Sequence, residues 1–118
     1  MSLGFAPIFV AVIFAVMGLV AFVRPAAMLA PIGLPAQTVD ARNEIQAVYG
    51  GYGLAMAAVL IAPLWLPELG AGPAVVVGIA LAGMAFGRLV ALLREQRIGK
   101  FPAAFLAMEG AGAALLLV

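Results

Sequence analysis

Residues 3–23 read LGFAPIFVAVIFAVMGLVAFV, an apolar run without a single charge. An α-helix rises about 1.5 Å per residue, so about 20 such residues cross the hydrocarbon of a bilayer. Backbone polar groups cannot go unpaired in lipid, so a helix is the form this run is expected to take. The leading MSLGFAPIFV has no positive region and no small-residue cleavage site. It is therefore read as a retained first span and not as a cleaved signal peptide.

Working outward, three further runs have the same character. They cover about residues 41–62, 73–93 and 102–118, with Pro63 closing the second and Pro73 opening the third. The chain is 67% hydrophobic and 9% charged, with a mean hydropathy of +1.25. A soluble domain carries about 25% charged residues. The expectation is one domain over residues 1–118, an all-α integral membrane four-helix bundle. The absence of cysteine and histidine excludes disulfides, thiol chemistry, haem ligation and imidazole metal sites, and no metal or cofactor is expected. A formal charge of +1 with no basic run gives no electrostatic footprint for nucleic acid.

Between the first two spans lies RPAAMLAPIGLPAQTVDA, Arg24–Ala41, with prolines at 25, 31 and 35. It is too broken to span and too apolar for a free linker, so it is expected to lie in the membrane interface with one short helical turn. Thr38 and Asp40 are candidate N-terminal caps for the second helix. Trp65 suits the aromatic belt at a membrane boundary. Arg24 and Arg42 flank the first loop, while Arg94, Arg97 and Lys100 fill the third. In a four-span chain both loops share a side, and the positive-inside rule puts them in the cytoplasm with both termini outside. Glu95, beside Arg94 and Arg97, reads as a solvated loop charge.

The remaining polarity sits inside the spans. The second opens with RNEIQAVYGGYG, Arg42–Gly53. The third carries Arg88 roughly 9 Å in from Arg94, and the fourth Glu109 roughly 13 Å in from Lys100, at helical rise. An ionised side chain near a bilayer centre costs about 2.5–3.5 kcal/mol even on insertion scales. Arg88 is therefore expected to pair with Glu109, Glu44 or both, since its fork can hold two carboxylates. By helical spacing Glu44, Ala47, Val48, Gly51, Tyr52 and Ala55 share a face, which is expected to line the interior. Candidate site residues are Asn43, Glu44, Tyr49, Tyr52, Arg88 and Glu109. Gly50, Gly51, Gly83 and Gly87 are expected close-packing positions, the last two as a GxxxG pair. The competing reading is an ion pair that only fixes helix order.

These features together resemble a bacterial family called domain of unknown function 4345. Its second span opens with RNEIRAVYGG; here Arg42–Gly51 departs from that only at Gln46, which removes one basic charge. The Gly-Arg pair late in its third span is matched by Gly87-Arg88, and the glutamate of its fourth by Glu109. The resemblance covers nearly the whole chain. It implies the four-span fold and these residues, and carries no activity.

The expected function is a binding or accessory protein of the bacterial inner membrane. The polar cluster would hold a lipid-like or quinone-like molecule or a partner subunit, in a homo-oligomer or larger complex. One alternative is a small homodimeric proton-coupled transporter using Glu109. Another is a membrane enzyme acting on a lipid-like substrate, although no nucleophile constellation or phosphate loop is present.

Overall fold

The structure is a computed structural model that describes residues 4–33 and 38–118, all but the side chain of Ile32. Helix α1 spans Phe5–Val23. A short helix α2, Pro25–Leu29, starts on Pro25, where a missing N–H is harmless, and runs into a 3-10 turn over Ala30–Ile32. Gly33 ends it at φ +79°, a left-handed conformation that glycine adopts freely. Pro35 of the first loop lies outside the described residues.

The second long helix is a composite of α3 (Val39–Ile45), a π-helical turn (Gln46–Gly51) and α4 (Tyr52–Ile61). Thr38 caps it, its hydroxyl accepting the Ala41 N–H at 3.0 Å, and Asp40 sits in the first turn, where the helix dipole favours a carboxylate. Two 3-10 turns, Ala62–Leu64 and Pro67–Leu69, lead to α5 (Gly72–Glu95), with Pro73 in its first turn. Gln96 ends α5 in the left-handed region, and its side-chain amide donates to the Leu93 carbonyl at 2.7 Å. Helix α6 then runs over Lys100–Leu117.

Among the described residues, four helical stretches, Phe5–Val23, Val39–Leu64, Gly72–Glu95 and Lys100–Leu117, are long and apolar enough to cross a membrane. Large side chains of α1 such as Phe5, Phe9, Val12, Val16 and Leu19 are exposed. They form the kind of greasy exterior that lipid, not water, accommodates.

The helices pack as two pairs. Helix α1 lies against the π turn and α4, and α5 against α6; α1 meets α6 and α4 meets α5 over less surface. Packed helices lie about 8–10 Å apart, so a square bundle of four would be about as thick as it is wide. This one is flattened, at 44 × 33 × 17 Å. Its main core joins the two pairs through Val10, Phe14, Leu60, Val77, Leu81 and Leu116. Most of these lie toward the end opposite the basic loops. A smaller cluster, Ala21 and Ile45 with Met28, Leu29 and Tyr49, closes the basic end of the first pair.

The π turn corrects the expected interior face of the second helix. Its buried positions are Ile45, Gly50, Gly53, Ala57 and Leu60, whereas Glu44, Ala47, Val48, Gly51, Tyr52 and Ala55 are all exposed. The step of five from Ile45 to Gly50 is one residue more than an α-turn supplies, and the Tyr52 N–H accordingly reaches back five residues to the Ala47 carbonyl. The extra residue rotates α4 so that Gly53, Ala57 and Leu60 meet α1. The approach is close. A Cβ at Gly18 would stand 2.9 Å from the Gly50 carbonyl oxygen, and one at Gly53 3.0 Å from that of Phe14. Gly50 fits against the Phe22 ring.

The GxxxG pair of α5 plays no such part within the chain, because Cβ atoms at Gly83 and Gly87 would meet nothing within 4 Å. A Cβ at Gly51 would approach only the Gln46 carbonyl of its own turn, at 3.8 Å.

Two contrasts follow. Gly18→Ala forces backbone apart and should destabilise the protein in detergent by about 1–3 kcal/mol. Gly83→Ala should be neutral or stabilise by up to about 1 kcal/mol through helix propensity. Deleting one glycine of the Gly50–Gly51 pair converts the π turn to α-helix yet leaves Gly53, Ala57 and Leu60 facing α1, so the thermal midpoint should stay near wild type. Deleting Ala55 turns Ala57 and Leu60 by about 100° and should abolish the cooperative transition.

Candidate functional site: an ion pair between α5 and α6

Along α5, Val77, Leu81, Ala85 and Arg88 recur at helical spacing on the face that meets α6. On α6 the facing positions are Phe105, Glu109, Gly112 and Leu116. The seam is tight because its glycines admit neighbouring side chains. A Cβ at Gly112 would lie 3.0 Å from Leu81 Cδ1, and one at Gly78 2.8 Å from the Leu117 side chain. This close approach brings the guanidinium of Arg88 onto the carboxylate of Glu109.

The contact is a two-pronged fork. Arg88 Nε donates to Glu109 Oε1 at 2.5 Å and Nη2 donates to Oε2 at 3.0 Å. Paired N–H groups on paired oxygens fix orientation as well as charge, which a lysine cannot do. Phe105, one turn before Glu109, adds a second hold: the Arg88 guanidinium carbon lies 5.3 Å from the centre of its ring. Phe105 was not among the residues expected from sequence. Its spacing of four from Glu109 was the available signal.

The pair is unequally covered. Glu109 is buried at 8% exposure, whereas the Arg88 side chain is 31% exposed. Among the described residues Nη1 has no hydrogen-bond acceptor, and no buried side-chain polar atom is left unsatisfied. The unused donors of Arg88 are thus on the open side of the pair. Tyr49 packs on the Ala21–Ile45 cluster.

The other expected site residues are placed differently. Glu44 does not reach Arg88, whose fork is filled by Glu109. It lies instead in an open cleft of about 320 Å³ lined by Leu29, Ala41, Glu44, Ile45, Val48 and Tyr49. Tyr49 belongs to the same cleft as Glu44. Tyr52 is turned outward at 45% exposure by the π turn, and Asn43 is exposed outside the cleft lining. The structure therefore brings Arg88 and Glu109 together, places Glu44 and Tyr49 at the cleft, and leaves Tyr52 and Asn43 outside both.

Among the described residues, four helices fit to cross a membrane and a forked Arg–Glu pair between the last two define the class of protein. The chain belongs to the family described as Domain of unknown function (DUF4345), which matches residues 3–118, essentially its whole length. No curated protein and no solved structure matched it.

A double-mutant cycle tests the fork. Arg88→Gln and Glu109→Gln should each lower stability in detergent. The double variant should lose less than their sum, by about 1 kcal/mol or more of coupling. Additive losses within about 0.5 kcal/mol would show that the two side chains act independently.

Proposed function

We propose that this chain is a small binding or accessory protein of the bacterial inner membrane. Its Arg88–Glu109 pair holds a lipid-like or quinone-like molecule, or a polar group of a partner subunit, with Tyr49 of the cleft as a further hydrogen-bonding group. Loops bearing Arg24, Arg42, Arg94, Arg97 and Lys100 lie in the cytoplasm, and both termini lie outside. The basis for this orientation is the clustering of five of the six basic residues at one end of the helices.

The observation that carries the reading is the asymmetry of the ion pair. A pair that served only to hold helices together would be best sealed on both sides, because an open guanidinium in lipid is costly. Here Glu109 is buried and Arg88 is partly open with donors to spare. An acceptor supplied from outside the chain completes it. The fork also disfavours a proton-coupled transporter, since both oxygens of the Glu109 carboxylate are already engaged by Arg88 N–H groups. The chemistry of an enzyme on a lipid-like substrate would need a titratable group free to move a proton, and this fork occupies the one carboxylate at the site.

Native mass spectrometry of protein released gently from its own membranes tests the reading. A stoichiometric extra mass, small molecule or polypeptide, is expected on the wild type and should be lost from Arg88→Lys, which keeps the charge but not the fork. A bare chain or bare homo-oligomer carrying only bulk lipid would contradict it.

A further inference from the structure

The cleft at the basic end is a second place where a charged group of this chain stands without a partner. Its walls are Leu29 of α2, Ala41, Glu44 and Ile45 of α3, and Val48 and Tyr49 of the π turn. Neither Arg88 nor Glu109 lines it, so it is separate from the ion pair. Glu44 is the one charged residue of the lining. Among the described residues its side chain makes no ion pair and no hydrogen bond. The rest of the wall is apolar apart from the Tyr49 hydroxyl.

The charges around the cleft form a pattern, with a carboxylate in the lining and arginines near it in the chain. Arg42 follows Ala41 in α3, and Arg24 stands at the head of α2. Neither of them is in the lining. A purely anionic head would be repelled by Glu44, and a purely cationic one by the basic surroundings. A zwitterion that enters by its cationic end meets neither repulsion. Its ammonium finds a charge-assisted hydrogen bond at Glu44 and the ring of Tyr49 for cation–π attraction. Its phosphate remains outside the lining, in the field of the basic end.

Size and exposure agree with that occupant. At about 320 Å³ the cleft is at the small end of the range for small-molecule sites, about 300–1,000 Å³. It has room for a short head and not for acyl chains. Val48 in its lining is half exposed, so the chains can lie outside, along the helices in the hydrocarbon.

We propose that the cleft holds the head of a phospholipid bearing a primary ammonium, of the phosphatidylethanolamine type. The N–H groups of the ammonium donate to Glu44, and the phosphate lies toward the end that carries Arg24 and Arg42. A trimethylated head of equal charge has no N–H to give Glu44, and a glycerol head has no cation. The inference goes beyond the reading of the ion pair and does not depend on it.

The test titrates delipidated protein in detergent with an equimolar mixture of phospholipids sharing palmitoyl and oleoyl chains. Their heads are ethanolamine, choline and glycerol, and native mass spectrometry counts what stays bound. The ethanolamine lipid should be retained over the choline lipid by about fivefold, the factor one hydrogen bond gives. It should also be retained over the glycerol lipid. Glu44 is exposed, so Glu44→Gln leaves the core untouched, and it should bring the ethanolamine and choline lipids to parity. Glu95→Gln alters an exposed carboxylate of the same end outside the cleft lining and should keep the preference. Arg88→Lys should keep it too.

Equal retention of the ethanolamine and choline lipids in the wild type overturns the proposal. Preferential retention of the glycerol lipid also overturns it, because the basic end and not Glu44 would then select the head. A preference that survives Glu44→Gln, or that vanishes in Arg88→Lys, overturns the location. Dissolved ethanolamine that displaces the lipid at equal concentration overturns the choice of a lipid over a free amine. If the preference is missing while an Arg88-dependent mass remains, this proposal falls and the ion-pair reading stands.

Discussion

The fork between Arg88 and Glu109 is the constraint around which the second helix pair is organised. A guanidinium placed in the interior half of an apolar helix needs a counter-charge at hydrogen-bonding distance, and only a close helix can bring one. Gly78 and Gly112 make that closeness possible by leaving room for Leu117 and Leu81. Phe105 then covers one side of the cation. Sequence, packing and electrostatics converge on one geometry: small residues draw the backbones together, and the ion pair fixes which turn faces which. Apolar helices in lipid gain little from mutual burial, so such directional contacts carry a large share of the specificity.

The first helix pair reaches close packing by different means. Gly18, Gly50 and Gly53 bring α1 and the composite second helix into backbone contact. The π turn inserts one residue so that Ile45 and Leu60 can both point inward along a single helix. The same insertion decides which tyrosine is available. It keeps Tyr49 against the Ala21–Ile45 cluster and sends Tyr52 to the exterior, so a local backbone irregularity determines which tyrosine lines the cleft. Joined chiefly at the end away from the basic loops, the two pairs leave the polar end more open, and there the cleft and the exposed side of Arg88 are found.

Much of this was legible in the sequence. Four apolar runs and their proline boundaries gave the helices to within a few residues, because length and hydrophobicity alone dictate a spanning helix. Arg88 and Glu109 stood out because charges in such runs need each other. The interior face of the second helix departs from the sequence pattern for two reasons. Polarity at Glu44 and Tyr52 suggests interior placement, whereas Glu109 fills the fork of Arg88. A π turn also has no signature in a pattern read at 3.6 residues per turn. Gly83 and Gly87 form a motif associated with close packing, yet the packing glycines of α5 and α6 are Gly78 and Gly112. A small residue permits an approach, and only the partner helix decides where it happens. The flattening of the bundle depends on the balance of contacts between pairs, which no single helix encodes.

The family assignment places this architecture in a group of chains without supplying a chemistry for it, so the proposed function rests on the asymmetry of the ion pair. Solid-state NMR of the protein in lipid bilayers, with ¹⁵N-labelled arginine and ¹³C-labelled glutamate, addresses that centre most directly. The account predicts a through-space dipolar coupling between Arg88 Nε and the Glu109 carboxyl carbon, assigned to that pair by its disappearance in Arg88→Lys. An Arg88 Nε without coupling to the Glu109 carboxyl carbon would contradict the account.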